Sequence, residues 1–161
     1  VAEKREEMKL SSSMEDYLEA IAILDGEKGI ARVKDISRLM NVKNPSVTGA
    51  LATLESNDLV RHEKYGYVEL TSKGRRIAQS IQRRHDTFRR FLTLVLDIDA
   101  ATAEKDSCML EHAVSSETFE KLSLFIQFVE SCPEEDMPHW LKNFYHYMRT
   151  GKKLPCERSR K

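Results

Sequence analysis

Cysteine is scarce in this 161-residue chain: Cys108, Cys132 and Cys156 are an odd number at wide spacing, and no CxxC pair occurs. That argues against a disulfide framework and suits a reducing compartment. An excess of charge of either sign is missing too, since 26 basic residues balance 26 acidic ones. With 32% charged residues the chain is too polar to span a membrane, and the opening VAEKREEMKLSSSMEDYLEA has neither the apolar core of a secretion signal nor the acid-poor composition of a transit peptide. A cytoplasmic protein with no membrane segment is expected. The sequence shows no internal repeat, low-complexity tract, phosphate-binding glycine loop or GxSxG, so familiar signatures of nucleotide and acyl chemistry are absent. What is there is 40% hydrophobic residues, enough to bury the core of one domain or of two small ones.

The charge is balanced overall but not locally. Residues 1–30 carry a net −4, residues 31–96 a net +7 from 13 basic and 6 acidic residues, and residues 97–161 a net −3. A basic middle flanked by acidic ends is a footprint for a polyanion, and equally the mark of a solvated basic helix face.

The pattern of elements narrows the choice. SSSMEDYLEAIAILDGEKG offers serine caps, acidic residues in the first turn, Met14, Leu18, Ile21 and Leu24 at helical spacing, and glycines at the end. VKDISRLMNV predicts a short helix with Val33, Ile36, Leu39 and Met40 on one stripe and Asn41 as a left-handed stop. KNPSVTGALATLESNDLV predicts a third helix, with Asn44 as cap, Pro45 at the first helical position, Val47, Leu51 and Leu54 inward, and Ser46, Thr48, Gly49 and Thr53 outward. LVRHEKYGYVELT alternates around Tyr65-Gly66 and predicts a hairpin with Lys64 near its tip.

This order is that of a winged helix-turn-helix, whose second motif helix enters the major groove while the wing lies along the backbone. Small polar Ser46 and Thr48 suit base edges; Lys43 and Lys64 suit phosphates. Use of the same fold for protein contacts alone is the rival reading.

A long helix through TSKGRRIAQSIQRRHDTFRRFLTLVL follows, with Ile77, Ile81, Phe88, Leu92 and Val95 apolar, then two helices after the DIDA break. The second of these carries an apolar band of Phe119, Leu122, Phe125, Ile126 and Val129. It suggests a homodimer, and would serve an intrachain core as well. Trp140, Leu141, Phe144, Tyr145 and Met148 predict a last docked helix before a basic end. The fold class expected is mainly α: an N-terminal winged helix-turn-helix, then an α-helical domain.

The chemistry concentrates in DSCMLEHAVSSETFEKL, residues 106–122. At about 3.6 residues per turn, Cys108, Glu111 and His112 share one helical face, so a thiol, a carboxylate and an imidazole converge. That is a soft metal site in miniature, or coincidence: singly, a helical histidine is more often packed or exposed than ligating, and a cysteine more often a small buried hydrophobe. A small metalloenzyme or Cys-His hydrolase built on Cys108 and His112 is disfavoured, because both share one helix with Glu111 and no glycine-rich oxyanion loop accompanies them.

With these pieces in order, the chain resembles the metal-dependent repressors of the diphtheria toxin repressor and manganese transport regulator family. The likeness runs from about Ser13 to Glu130 through SMEDYLEAI, ARVKDISRLMNVKNPSVTGALATLESNDLV, YGYVELTSKG, RRH and CMLEHAVS. It implies a divalent transition metal held by Asp16 and Glu19 of the first helix, His85 of the long helix, and Cys108, Glu111 and His112. In manganese-type members the first-helix residue is aspartate and a glutamate stands at the Cys108 position, whereas iron-type members have methionine and cysteine there. This chain mixes the two. An ancillary site of the iron-type members would need a carboxylate at Arg89 and a histidine at Glu104, so that site looks broken.

The resemblance thus implies a homodimeric repressor that binds double-stranded operator DNA when metal is bound and controls metal homeostasis genes. Fe(II) is expected to be preferred to Mn(II), because a thiolate at Cys108 is softer than a carboxylate and affinities rise from Mn(II) to Fe(II), although the hard oxygen of Asp16 pulls the other way. Its DNA-binding residues would be Lys43, Asn44, Pro45, Ser46, Thr48 and Lys64. The expected organisation is a winged helix-turn-helix over 11–74, a helical metal-binding and dimerisation domain over 75–150 with a linking helix over 72–96, and a basic tail over 151–161. A winged-helix regulator that ignores metal or senses an organic ligand is the alternative.

Overall fold

The computed structural model describes residues 10–63, 66–132 and 137–154, with only the backbone of Lys28. The chain divides into two compact units, one up to Arg83 and one from Arg84.

The first unit opens with α1 (Ser12–Lys28), whose N-cap Ser11 accepts from the Met14 amide and which ends at Gly29 in the left-handed region, φ 72°. Next come β1 (Ala31–Arg32), α2 (Val33–Leu39), α3 (Asn44–Ser56), β2 (Val60–His62) and β3 (Tyr67–Leu70). The three strands form an antiparallel sheet in the order β1-β3-β2, with Ala31 opposite Val68 and Val60 opposite Leu70. Leu18, Ile21, Ile36, Val47, Leu51, Leu54 and Leu59 are fully buried and form one core. The outward face of α3 is exposed at Ser46, Thr48, Gly49 and Thr53, as its sequence predicts. Asn41 stops the short helix with φ 53°.

Three details depart from expectation. The helix start is Lys43 rather than Asn44: Lys43 is the N-cap, without a side-chain bond, and Asn44 is already helical, its carbonyl accepting from Thr48 Oγ1 at 3.1 Å. β1 is too short to leave a periodic signal. Leu39, placed on the apolar stripe, is about half exposed, while Ile36 of the same stripe is fully buried. Lys64 and Tyr65, at the hairpin tip, lie outside the described residues.

The helix α4 (Ser72–Arg90) begins in the first unit and ends in the second. It does not run on regularly to residue 96; its continuation Phe91–Val95 is a π-helical turn, closed by Leu96 and by Asp97 at φ 55°. The second unit adds α5 (Ala100–Ala113), capped by Asp99 through the amides of Ala101 and Thr102, then α6 (Ser116–Glu130), capped by Ser115, and α7 (His139–Thr150). Its core gathers Val95, Ile126, Val129 and Leu141, with Phe91, Phe125, Phe144 and Tyr145 packed around them. The Tyr145 hydroxyl donates to the Leu94 carbonyl, and Arg90 pairs with Glu130. The band assigned to dimerisation is therefore largely used within the chain: Ile126 and Val129 are buried and Phe119 packs on Phe88. The strongly exposed apolar residues of α6 are instead Leu124 and Phe128. No helix among the described residues is long and apolar enough to cross a membrane.

Candidate metal centre and nucleic-acid interface

Within the second unit, α4 and α5 bring together His85, Cys108, Glu111 and His112. His85 is 8% exposed and Glu111 1%, so an imidazole and a carboxylate meet with almost no water. His85 Nδ1 lies 2.8 Å from Glu111 Oε2 and 3.8 Å from Cys108 Sγ, while Glu111 Oε1 is 3.3 Å from His112 Nε2. Helical spacing explains the set: Cys108, Glu111 and His112 lie at i, i+3 and i+4 on α5, on the side that meets α4.

A nitrogen lone pair and a carboxylate oxygen 2.8 Å apart repel unless a cation lies between them. A proton can play that part, and so can a metal. Burial disfavours a charged His85, but the hydrogen bond it donates to Glu104 and the charges of Glu111 and Glu104 outweigh it and hold the imidazole above its usual value. The donor set of imidazole nitrogen, thiol sulfur and carboxylate oxygen fits a divalent transition ion. His85, Glu104 and Cys108 can each offer one atom, all within 4.8 Å of one another.

Glu104 is the residue that sequence reading missed as a participant, treating it only as a misfit in another site. Its Oε1 is 3.2 Å from His85 Nε2, and Arg89 lies 3.9 Å from its other oxygen. The signal was available: Glu104 precedes Cys108 by one helical turn. Arg84 was also overlooked. Its guanidinium donates to the carbonyls of Glu111 and Val114, 3.2 Å each, and covers the Phe119 ring.

The remaining expected residues belong to the first unit. Asp16 is exposed and Glu19 half-buried, three apart on α1. Lys43, Asn44, Pro45, Ser46 and Thr48 are all exposed and cluster at the start of α3. Among the described tail residues, Cys132, His139 and His146 join no candidate metal group; Cys156 lies outside the described residues.

Residues 9–68 match the N-terminal DNA-binding domain of iron-dependent repressors, and residues 71–138 match their metal-binding and dimerisation domain. Among solved structures, the manganese regulator SloR is 32% identical, with a TM-score of 0.64, over 71% of this chain and 54% of that one. IdeR of T. acidophilum is 29% identical with a TM-score of 0.62, over 72% and 54%. ScaR with bound Zn2+ is 28% identical with a TM-score of 0.62, over 71% and 54%. The chain spans about half the length of these relatives. It belongs to the iron-dependent repressor family, with a DNA-binding domain of winged helix-turn-helix form followed by a helical metal-binding domain.

Proposed function

We propose that the chain acts as a metal-activated, homodimeric transcriptional repressor of metal homeostasis genes. The observation that carries this reading is the buried His85–Glu111 pair, 2.8 Å apart and flanked by Cys108 and His112, in the segment matched to a metal-binding domain. His85, Cys108, Glu111 and His112 are the proposed ligands of the second unit. Asp16 and Glu19 join them on the strength of the family resemblance alone. A bound divalent ion supplies the positive charge that these donors otherwise take from protons. A ligand set drawn from both units makes the arrangement of the DNA-binding units depend on metal, and operator affinity then follows the fraction of molecules in the competent arrangement.

On the DNA side, Ser46 and Thr48 read base edges, Asn44 and Pro45 present the start of the recognition helix, and Lys43 and Lys64 hold phosphates. Their exposure at one end of α3 supports this for all but Lys64. The related chains include one named as a manganese regulator and one with bound Zn2+. Cys108 turns the preference of this chain towards Fe(II), because a thiolate is a softer ligand than a carboxylate and affinities rise from Mn(II) to Fe(II).

The test is an anaerobic titration with Fe(II) and with Mn(II), following binding to a genomic DNA pool. Binding should appear only with metal, on near-palindromic sites, and at lower Fe(II) than Mn(II). Equal affinity in chelator and in metal overturns metal activation and leaves a metal-independent or organic-ligand winged-helix regulator.

A further inference from the structure

The two nitrogens of His85 face different company, and the acceptors around one of them determine which is free to ligate. Nε2 lies 3.2 Å from Glu104 Oε1 and 3.4 Å from Ser107 Oγ. An ionised carboxylate can only accept. Ser107 has already committed its hydroxyl hydrogen to the Glu104 backbone carbonyl, 2.9 Å away, so towards His85 it too can only accept. Both neighbours of Nε2 therefore require a hydrogen on it. Nδ1 also faces an acceptor, Glu111 Oε2 at 2.8 Å, but with Cys108 Sγ 3.8 Å away it is the side on which a metal can take the place of the hydrogen.

We infer that Glu104 is a positioning residue: it holds the hydrogen on His85 Nε2 and so presents Nδ1 to the metal, with Arg89 steadying the carboxylate from its other oxygen. This inference rests on the metal reading above. Residues that orient a ligating histidine through its second nitrogen set both the ring's rotation and its basicity, and their loss typically costs 10–100-fold in metal affinity. Glu104 itself is 59% exposed, so it can play this part without being committed to a ligand position. Glutamine at 104 would keep an oxygen acceptor and lose the charge; alanine would lose both.

The experiment uses Zn(II) as a diamagnetic probe on the full chain, with affinity from competition against a chelator and heteronuclear NMR of the His85 ring nitrogens. Wild type should show metal-bound Nδ1 and protonated Nε2. Glu104→Gln should keep that signature and most of the affinity, while Glu104→Ala should lose about tenfold in affinity and show mixed ring states. Metal-free thermal unfolding, followed at a pH where His85 is neutral, should change little in either variant, since position 104 is on the surface. Coordination through Nε2, or an unchanged Glu104→Ala, overturns the positioning role. Equal damage from glutamine and alanine overturns it in favour of Glu104 as a ligand. Failure of wild type to take up Zn(II) at all is the distinct result that removes the metal reading, and this inference with it.

Discussion

In the proposed ligand set Cys108 places sulfur among imidazoles and carboxylates, and the metal preference proposed above rests on that one atom. Replacing it by glutamate restores an oxygen ligand at the same helical position, one turn before Glu111 and His112. Cys108→Glu is expected to raise activation by Mn(II) relative to Fe(II), measured as DNA binding in parallel anaerobic titrations, whereas His112→Ala should abolish activation by either. Unchanged relative activation would mean that the exposed Cys108 thiol takes no part in choosing the metal. His85 carries a second expectation, in the metal-free protein. Its folded pKa is raised above the unfolded value. The protonated ring therefore contributes stability that is fully present below about pH 6.5 and is lost as pH rises through the folded pKa. In chelator, the melting temperature should fall across that interval, and His85→Gln should flatten the slope. Metal competes with the same proton, so metal affinity should move the other way and rise with pH.

Where α4 begins, the chain has no room for a side chain. Gly74 sits against the backbone of Leu59, and a Cβ there would overlap the Leu59 carbonyl oxygen. Thr71 closes the same corner: its hydroxyl reaches the carbonyls of Asp58 and Leu59 and accepts from the Gly74 amide at 3.0 Å. Gly74→Ala must push the start of α4 away from Leu59, and an overpacked junction of this kind costs about 1–3 kcal/mol. Chemical denaturation should show it as a lower midpoint with an unchanged m-value; an unchanged midpoint would mean that the corner yields freely. This need for glycine could not be read from the sequence, because it is set by where Leu59 packs against the start of α4. The helices themselves were legible, because Leu18, Ile21 and Leu24, or Val47, Leu51 and Leu54, repeat at a period that only a buried helical face explains. β1 and the π-helical turn at Phe91–Val95 were not, since two strand residues carry no period and the turn keeps helical spacing nearly intact. In the site, α5 was readable because its donors share one helix. Glu104 was readable on the same ground, one helical turn before Cys108, and was passed over; the part of Arg84 was not, because it depends on how α4 packs across α5.

At the scale of the whole chain, charge is segregated along the sequence. The +7 of residues 31–96 supports DNA binding by phosphate neutralisation, so binding should weaken with salt. Lys43→Ala removes one exposed cation at the start of α3 and should weaken all sequences alike while lowering the salt slope by about 1; Thr48 variants should change preference among sequences instead. A change in preference from Lys43→Ala would reverse these roles.

The second unit poses the complementary question of what covers its apolar surface. Leu124 and Phe128 are 60% and 59% exposed, one turn apart on α6, although Ile126 and Val129 of the same helix are buried inside the chain. Two large apolar residues on one outward face would be a poor use of a helix exposed to water. Their segment matches a dimerisation domain, and a two-fold partner could bury the same patch on both copies. A repressor that reads a near-palindrome needs both copies, since a monomer engages one half-site and forfeits the second set of contacts. The double variant Leu124→Glu, Phe128→Glu should sediment as a monomer and keep its helical circular dichroism, because neither side chain belongs to the buried core. Its metal-dependent operator binding should fall by orders of magnitude, while the weak, salt-sensitive binding of the single winged helix persists. A variant that remains dimeric places the interface on another face of the chain; one that is monomeric yet binds the operator like wild type overturns the two-copy reading of DNA recognition.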